Sequence, residues 1–250
     1  MRPWSTRLHH AGIGFSLLVT VFLFFSFGIP GLTDDSHPSQ RYFTPKTYKG
    51  RTIAPAMSYL GADWLERAER DSLEQPDKVL DTIGIIPGST VADIGAGTGY
   101  YSLRLAKRVG PHGRVLATDI QPEMLSLLQA NMKKAGLTNI ETILATPTDA
   151  KLPVGQLDLA LLVDVYHELA NPEETMTQVH QALKPDGRLV LIEYRGEDPT
   201  VPIKPEHKMT LARVRAEIEP MGFRFRRVFD FLPRQHLIIF VPAATGTEAK

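Results

Sequence analysis

Asp93 ends a short apolar run and is followed by three glycines in five positions, Gly95, Gly97 and Gly99, in the stretch VADIGAGTGY, residues 91–100. Glycines after a first strand let the backbone come close to a ligand, and the next helix N-terminus faces that ligand. A dinucleotide fingerprint would carry its third glycine where this chain has Tyr100. Asp93 also opposes a pyrophosphate, because a carboxylate repels phosphate and attracts an ammonium group. Twenty residues after Gly99, Asp119 closes the run VLATDI. A carboxylate there accepts both hydroxyls of a ribose, in NAD sites as in others. Ile120 is placed to lie against an adenine, and Ala96 belongs to the same turn. In ATPTDAKLP, Asp149 is positioned to accept from the adenine amino group and Ala150 to donate its backbone N–H. Each acid alone is equally a loop cap or a solvated charge. Together, at three successive strand ends, they argue for one ligand at the edge where such sheets bind ligands.

An ammonium, a ribose and an adenine without phosphate describe S-adenosylmethionine. Its sulfonium methyl is already electrophilic, so a protein using it must hold a nucleophile in line and, where needed, remove a proton. The stretch LLVDVYHEL ends a later strand and offers the groups for this. His167 is the candidate base, with Asp164 or Glu168 to orient it, and Tyr166 is a candidate to stack in the pocket; a packing or capping role fits His167 and Tyr166 equally well. Glu193 and Arg195 end the next strand, and His207, Arg234 and His236 follow in IKPEHKM and LPRQH. With Lys208 and Gln235 these polar groups either line a pocket for an acidic acceptor such as a phenol, carboxylate or thiol, or are solvated. Asp164, His167, His207 and His236 have the chemistry of divalent-ion ligands, but no pair has helix-turn metal spacing, so the sequence reading assigns no metal.

These residues need a scaffold that brings strand ends together. Strand patterns occur at 90–94, 114–119, 140–145, 157–163 and 188–193, with helical patterns at 100–109, 122–135 and 172–183 between them. Such alternation predicts an α/β fold, a doubly wound and mostly parallel sheet. Asn171 reads as the N-cap of the helix opened by Pro172, and Lys184-Pro185-Asp186-Gly187 as its stop. A helix near 206–221 and strands at 223–229 and 235–241 predict an antiparallel edge hairpin, giving seven strands in all. Upstream, 56–73 reads as a helix with Trp64, Leu65 and Ala68 on one face, followed by a second helix at 77–83; residues 56–86 are then a helical lid over a domain at 87–243, with a disordered tail at 244–250.

The 28 basic and 28 acidic residues of the 250 cancel, which argues against a nucleic-acid partner. The absence of cysteine excludes disulfides, thiolate metal sites and cysteine nucleophiles. Arg2 and Arg7 precede an uncharged apolar run at 11–29, the plan of a signal peptide or membrane anchor within residues 1–30. Residues 31–55 read as a linker. A membrane-anchored or exported protein of the cell envelope follows, and a cytosol-facing domain remains open.

In combination, VADIGAGTGYYSLRLAKRVG, VLATDIQPEML, TDAKLP, LDLALLVDVYHEL and LKPDGRLVLIE resemble class I S-adenosylmethionine-dependent methyltransferases of the ubiquinone/menaquinone type over about residues 60–241. GADWLERAER, VDVYHEL, EYRGED, IKPEHKM and LPRQH are similar to a bacterial subgroup with N-terminal signals or anchors. The resemblance implies a Rossmann-like methyltransferase fold, S-adenosylmethionine as cofactor held by Asp93, Gly95, Gly97, Asp119 and Asp149, and methyl transfer to an O, N, S or C atom of a small acceptor. The alternatives are a cofactor-binding protein without catalysis and an NAD-dependent oxidoreductase, the latter disfavoured by Asp93 and Tyr100.

Overall fold

The computed structural model describes residues 46–243. The expected signal or anchor, the linker up to residue 45 and the tail from 244 lie outside them. Five parallel strands form the centre: β3 (Thr90–Ile94), β4 (Arg114–Asp119), β5 (Ile140–Leu144), β6 (Leu157–Val163) and β7 (Leu183–Arg195). Helices α4 (Tyr100–Val109), α5 (Pro122–Ala135) and α6 (Pro172–Ala182) make the crossovers. β9 (Phe223–Phe229) and β10 (Gln235–Pro242) complete the order β5-β4-β3-β6-β7-β10-β9. The expected hairpin is present, and its second strand lies on the inside: β10 pairs antiparallel with both β7 and β9.

The central strands are apolar on both faces because helices cover both. Val91, Leu159, Leu161, Val190 and Ile192 pack on one side, and Ala92, Ala160, Leu162, Leu189 and Leu191 on the other. Each fully buried leucine contributes about 1.5–3 kcal/mol relative to exposure. This rigid slab fixes where the strand ends, and hence the site, must lie.

Several local expectations change. The predicted stop at 184–187 is absorbed into β7 as an irregularity, Leu157 pairing with Leu183 and Leu159 with Arg188. Asn171 does not cap α6 with its side chain, which donates to the Pro147 carbonyl at 2.9 Å instead. The helix expected from about 206 begins later, as α7 (Leu211–Ile218), because Thr210 accepts from the Arg213 N–H and caps it there. The residues before it form a 3₁₀ turn, Pro205–His207, and a two-residue strand β8 (Lys208–Met209). β8 has a purpose in the sheet: β7 outruns β6, and Lys208 and Met209 pair with its last two residues, Tyr194 and Arg195.

The expected lid helix is broken into a 3₁₀ turn at Tyr59–Gly61, α1 (Ala62–Leu65) and α2 (Arg70–Glu74), followed by α3 (Pro76–Ile83). Trp64 is exposed under the Arg67 guanidinium, which lies 3.4 Å from its ring centroid, so only Leu65 of the expected apolar face turns inward. Residues 46–55, read as linker, carry a small hairpin of β1 (Thr47–Tyr48) and β2 (Arg51–Thr52). It is docked by an Arg51–Glu217 pair at 3.1 Å and an Ala54 N–H to His167 carbonyl bond at 3.1 Å.

Candidate active site

The glycine turn between β3 and α4 sits at the C-terminal edge of the sheet. Gly95, Gly97 and Gly99 all adopt positive φ, which side chains avoid. At Gly95 a Cβ would also stand 2.6 Å from Val165 Cγ2. The turn is held by backbone N–H groups: Gly95 and Ala96 donate to the Thr118 carbonyl, and Gly97 donates to Asp119 Oδ2 at 3.0 Å. Asp119 is nearly buried and its other oxygen accepts from Gln121 N–H at 2.9 Å. Burial pushes its carboxyl pKa up against those backbone donors.

Asp93 is buried at the end of β3, and Ser102 on α4 donates to it at 2.5 Å. Burial lifts its pKa to about 6, while Ser102 and the Arg70 charge pull the other way. Arg70 itself is paired with Glu74 at 2.8 Å. Over the turn runs the segment from Met57 to Glu66. Gln121 clasps it at both faces of its amide, donating to the Met57 carbonyl at 2.8 Å and accepting from the Tyr59 N–H at 2.9 Å. Leu65 lies where a Gly97 side chain would be, and Thr98 donates to Glu66.

The donor set here is two buried carboxylates at neighbouring strand ends, and it fits an ammonium and a ribose diol better than phosphate. Asp119 and Asp93 are the residues that would hold S-adenosylmethionine, with Ile120 exposed beside them for an adenine. The loop assigned to adenine differs from expectation. Asp149 is exposed and accepts from Lys151 N–H, and the Ala150 N–H donates to Gln178 on α6 at 2.7 Å. Gln178 also donates to the Thr148 carbonyl, so it, rather than a ligand, fastens that loop.

At the ends of β6 and β7 a second group assembles. His167 lies in a 3₁₀ turn, Tyr166–Glu168, and is buried. Its Nδ1 is 2.5 Å from Glu193 Oε2, and its Nε2 is 3.1 Å from His207 Nδ1. The orienting group is therefore Glu193, which the sequence reading placed with the acceptor, and not Asp164 or Glu168. Glu193 also accepts the Tyr166 N–H at 2.9 Å, locking the turn that carries the ring. Burial lowers the His167 pKa, but the Glu193 charge outweighs it and raises the value to about 9. β8 delivers His207 to this place, and Glu168 Oε1 stands 3.5 Å from its Nδ1.

Other expected members go elsewhere. Asp164, at φ 55°, accepts from Gln235 at 2.7 Å and keeps a second, unpartnered buried oxygen; burial, with Glu74 and Glu193 near, drives its carboxyl pKa well above the usual range. Tyr166 is buried, its hydroxyl donating to Glu217 at 3.0 Å, so it packs rather than stacks in a pocket. Arg195 donates to the carbonyls of Asp230, Leu232 and Pro233 and clamps the β9–β10 loop. Half-buried Arg234 gives its carbonyl to the Arg195 N–H. His236 is held between Asp230 and Glu197, each at 2.9 Å. Of the expected acceptor groups, only Glu193 and His207 meet His167.

Residues 85–222 match the model of a methyltransferase-domain family, more than half of the chain. This chain belongs to that methyltransferase family. The demethylmenaquinone methyltransferase of Lactococcus lactis is 30% identical over 129 residues, covering 50% of this chain and 49% of its own. A ubiquinone/menaquinone biosynthesis C-methyltransferase of Hydrogenovibrio crunogenus is 28% identical over 116 residues, 46% of each chain. The chain thus spans about half the length of the curated relatives it matches. A crystal structure of an S-adenosylmethionine-dependent methyltransferase from Aquifex aeolicus superposes with a TM-score of 0.72 at 28% identity, covering 75% of this chain and all of that one. The expected class, cofactor and Rossmann-like sheet are those of this family and of the Aquifex aeolicus structure.

The sequence reading missed Gln178, Ser102, Gln121 and Arg51. Ser102 had a visible signal, a small polar residue on the inner side of an otherwise apolar first turn of α4. Gln178 and Arg51 had none, since their partners are 28 and 166 residues away.

Proposed function

We propose that this methyltransferase acts on a small acidic acceptor, a phenol or a thiol, whose heteroatom meets the His207–His167 pair. The observation that carries the reading is the continuous line Glu193–His167–His207, with spacings of 2.5 and 3.1 Å. Above the His167 pKa of about 9 the ring is neutral: Glu193, as a carboxylate, accepts its Nδ1–H, which leaves Nε2 with its lone pair towards His207. His207 is the outer ring, with 24% of its side chain exposed. An acceptor proton taken up at His207 Nε2 moves the His207 Nδ1 proton onto His167 Nε2, and Glu193 balances the imidazolium that results. S-adenosylmethionine, when bound, supplies an electrophilic methyl on its sulfonium; the residues need only hold the acceptor and take its proton.

The test is S-adenosylhomocysteine formation by the full chain over a panel of phenols, thiols and amines, with demethylmenaquinone included because one relative is named for it. His167→Gln should lower the rate by about 10²–10⁴-fold while cofactor binding persists. An unchanged rate would remove His167 from the mechanism.

We also propose that the uncharged run at 11–29, with Arg2 and Arg7 before it, ties the domain to a membrane. Among the described residues no helix is long and apolar enough to cross one. Fractionation of cells making the full chain tests this: recovery in the membrane fraction is expected, and release of the intact chain by buffer alone would contradict it.

A further inference from the structure

We infer that His167, Glu168 and His207 form a binding site for one divalent transition-metal ion. His167 Nε2 and His207 Nδ1 are 3.1 Å apart, and Glu168 Oε1 lies 3.8 Å from the first and 3.5 Å from the second. The two carboxylate distances are at or beyond the limit of a hydrogen bond. They match the spacing of ligands around an ion, about 3.3–3.4 Å in a tetrahedral shell with bonds of 2.0–2.1 Å. A triangle with edges of 3.1, 3.5 and 3.8 Å has a point about 2.0 Å from all three corners, the bond length such an ion requires.

The surroundings are those of a ligand histidine. His167 gives its other nitrogen to the buried Glu193 carboxylate, the outer partner that fixes tautomer and orientation in carboxylate–histidine–metal arrangements. Both turns that carry the ligands are anchored. Arg51 and the Ala54 N–H bind the His167 carbonyl, and β8 pins the residue after His207 to β7. Two imidazoles and one carboxylate suit zinc, iron(II), cobalt or manganese. The side chains of Glu168 and His207 are 17% and 24% exposed, so the ion has an open side for a fourth ligand. The site lies at the place where the proposal above puts the acceptor, and its role in transfer rests on that reading. The acceptor's oxygen or sulfur becomes the fourth ligand, its proton passes to solvent, and the ion holds the negative charge in place of an imidazolium.

Ion binding is measured without donor or acceptor, by calorimetry of zinc chloride into tag-free, chelator-stripped full chain. The expected result is one ion per chain, with affinity lowered at least tenfold in Glu168→Gln and in His207→Ala. Both residues are part-exposed, and their folding is checked by circular dichroism. His236→Ala, in the separate Asp230–Glu197 cluster, should bind as the parent does. No saturable binding, or binding that survives both ligand substitutions, overturns the inference. With an ion bound, His167 Nε2 and His207 Nδ1 are its ligands and it takes over from the proton relay; absence of binding leaves the relay standing, to fall only if His167→Gln keeps its transfer rate.

Discussion

Raising the pH from 5 to 7 should strengthen S-adenosylmethionine binding about tenfold, because Asp93 ionises across that interval. Its carboxyl is buried with a pKa near 6, raised by burial and by Asp119 on β4 against the Ser102 hydroxyl and Arg70 on α2, which lower it. A group with that pKa is about 9% ionised at pH 5 and about 91% at pH 7, and a tenfold ratio corresponds to about 1.4 kcal/mol. The sign follows from charge: only the carboxylate attracts an ammonium, so affinity rises with pH. The cofactor's own amino group keeps its proton over this range. Calorimetric titration at pH 5, 6 and 7 measures the slope, and Asp93→Asn should flatten it at the weaker value. Ser102→Ala removes the donor that favours the carboxylate, so it should move the midpoint upward. A pH-independent affinity in the parent chain, or an unchanged slope in Asp93→Asn, would refute the placement of the ammonium at Asp93.

Three further outcomes are expected. Gly95→Ala combines a left-handed backbone, costing about 1–2 kcal/mol, with a clash on Val165 costing about 1–3, and should lower the thermal midpoint by about 5–15 °C. Arg51→Ala leaves Glu217 buried beside the Tyr166 hydroxyl and should cost about 3–5 kcal/mol in denaturant unfolding; a loss below 1 kcal/mol would mean that the hairpin is not held by this pair. Glu193→Gln preserves the shape around the Tyr166 N–H but not the charge facing His167, so kcat should fall about 10²–10⁴-fold with cofactor affinity unchanged.

Much of the scaffold was legible because its signals are local. VADIG and VLATDI read as buried parallel strands from apolar runs ended by an acid, and Pro122 and Pro172 marked helix starts. Asp93 and Asp119 stood out because carboxylates at successive strand ends sit on the face where such sheets bind ligands. Pairings that depend on sheet order were not legible. Nothing near Glu193 in the sequence says that it faces His167, because β6 and β7 become neighbours only when the sheet forms. The role of His207 depends on β8, two residues long, which exists because β7 outruns β6. Arg195 and His236 misled for a related reason: polar groups near a sheet edge can fasten loops as readily as bind ligands, and these two close the β9–β10 loop and its neighbours. The broken lid reads as one amphipathic helix, but its Leu65 packs over Gly97 while Trp64 stays exposed.

The most direct test of a methyl-donor site is titration of the full chain with S-adenosylmethionine, S-adenosylhomocysteine and NADH, each repeated on Asp119→Ala. Binding of the two sulfur compounds but not NADH, weakened at least tenfold in the variant, is the result this structure predicts. Binding of NADH in their place, or binding of all three that Asp119→Ala leaves unchanged, would contradict it.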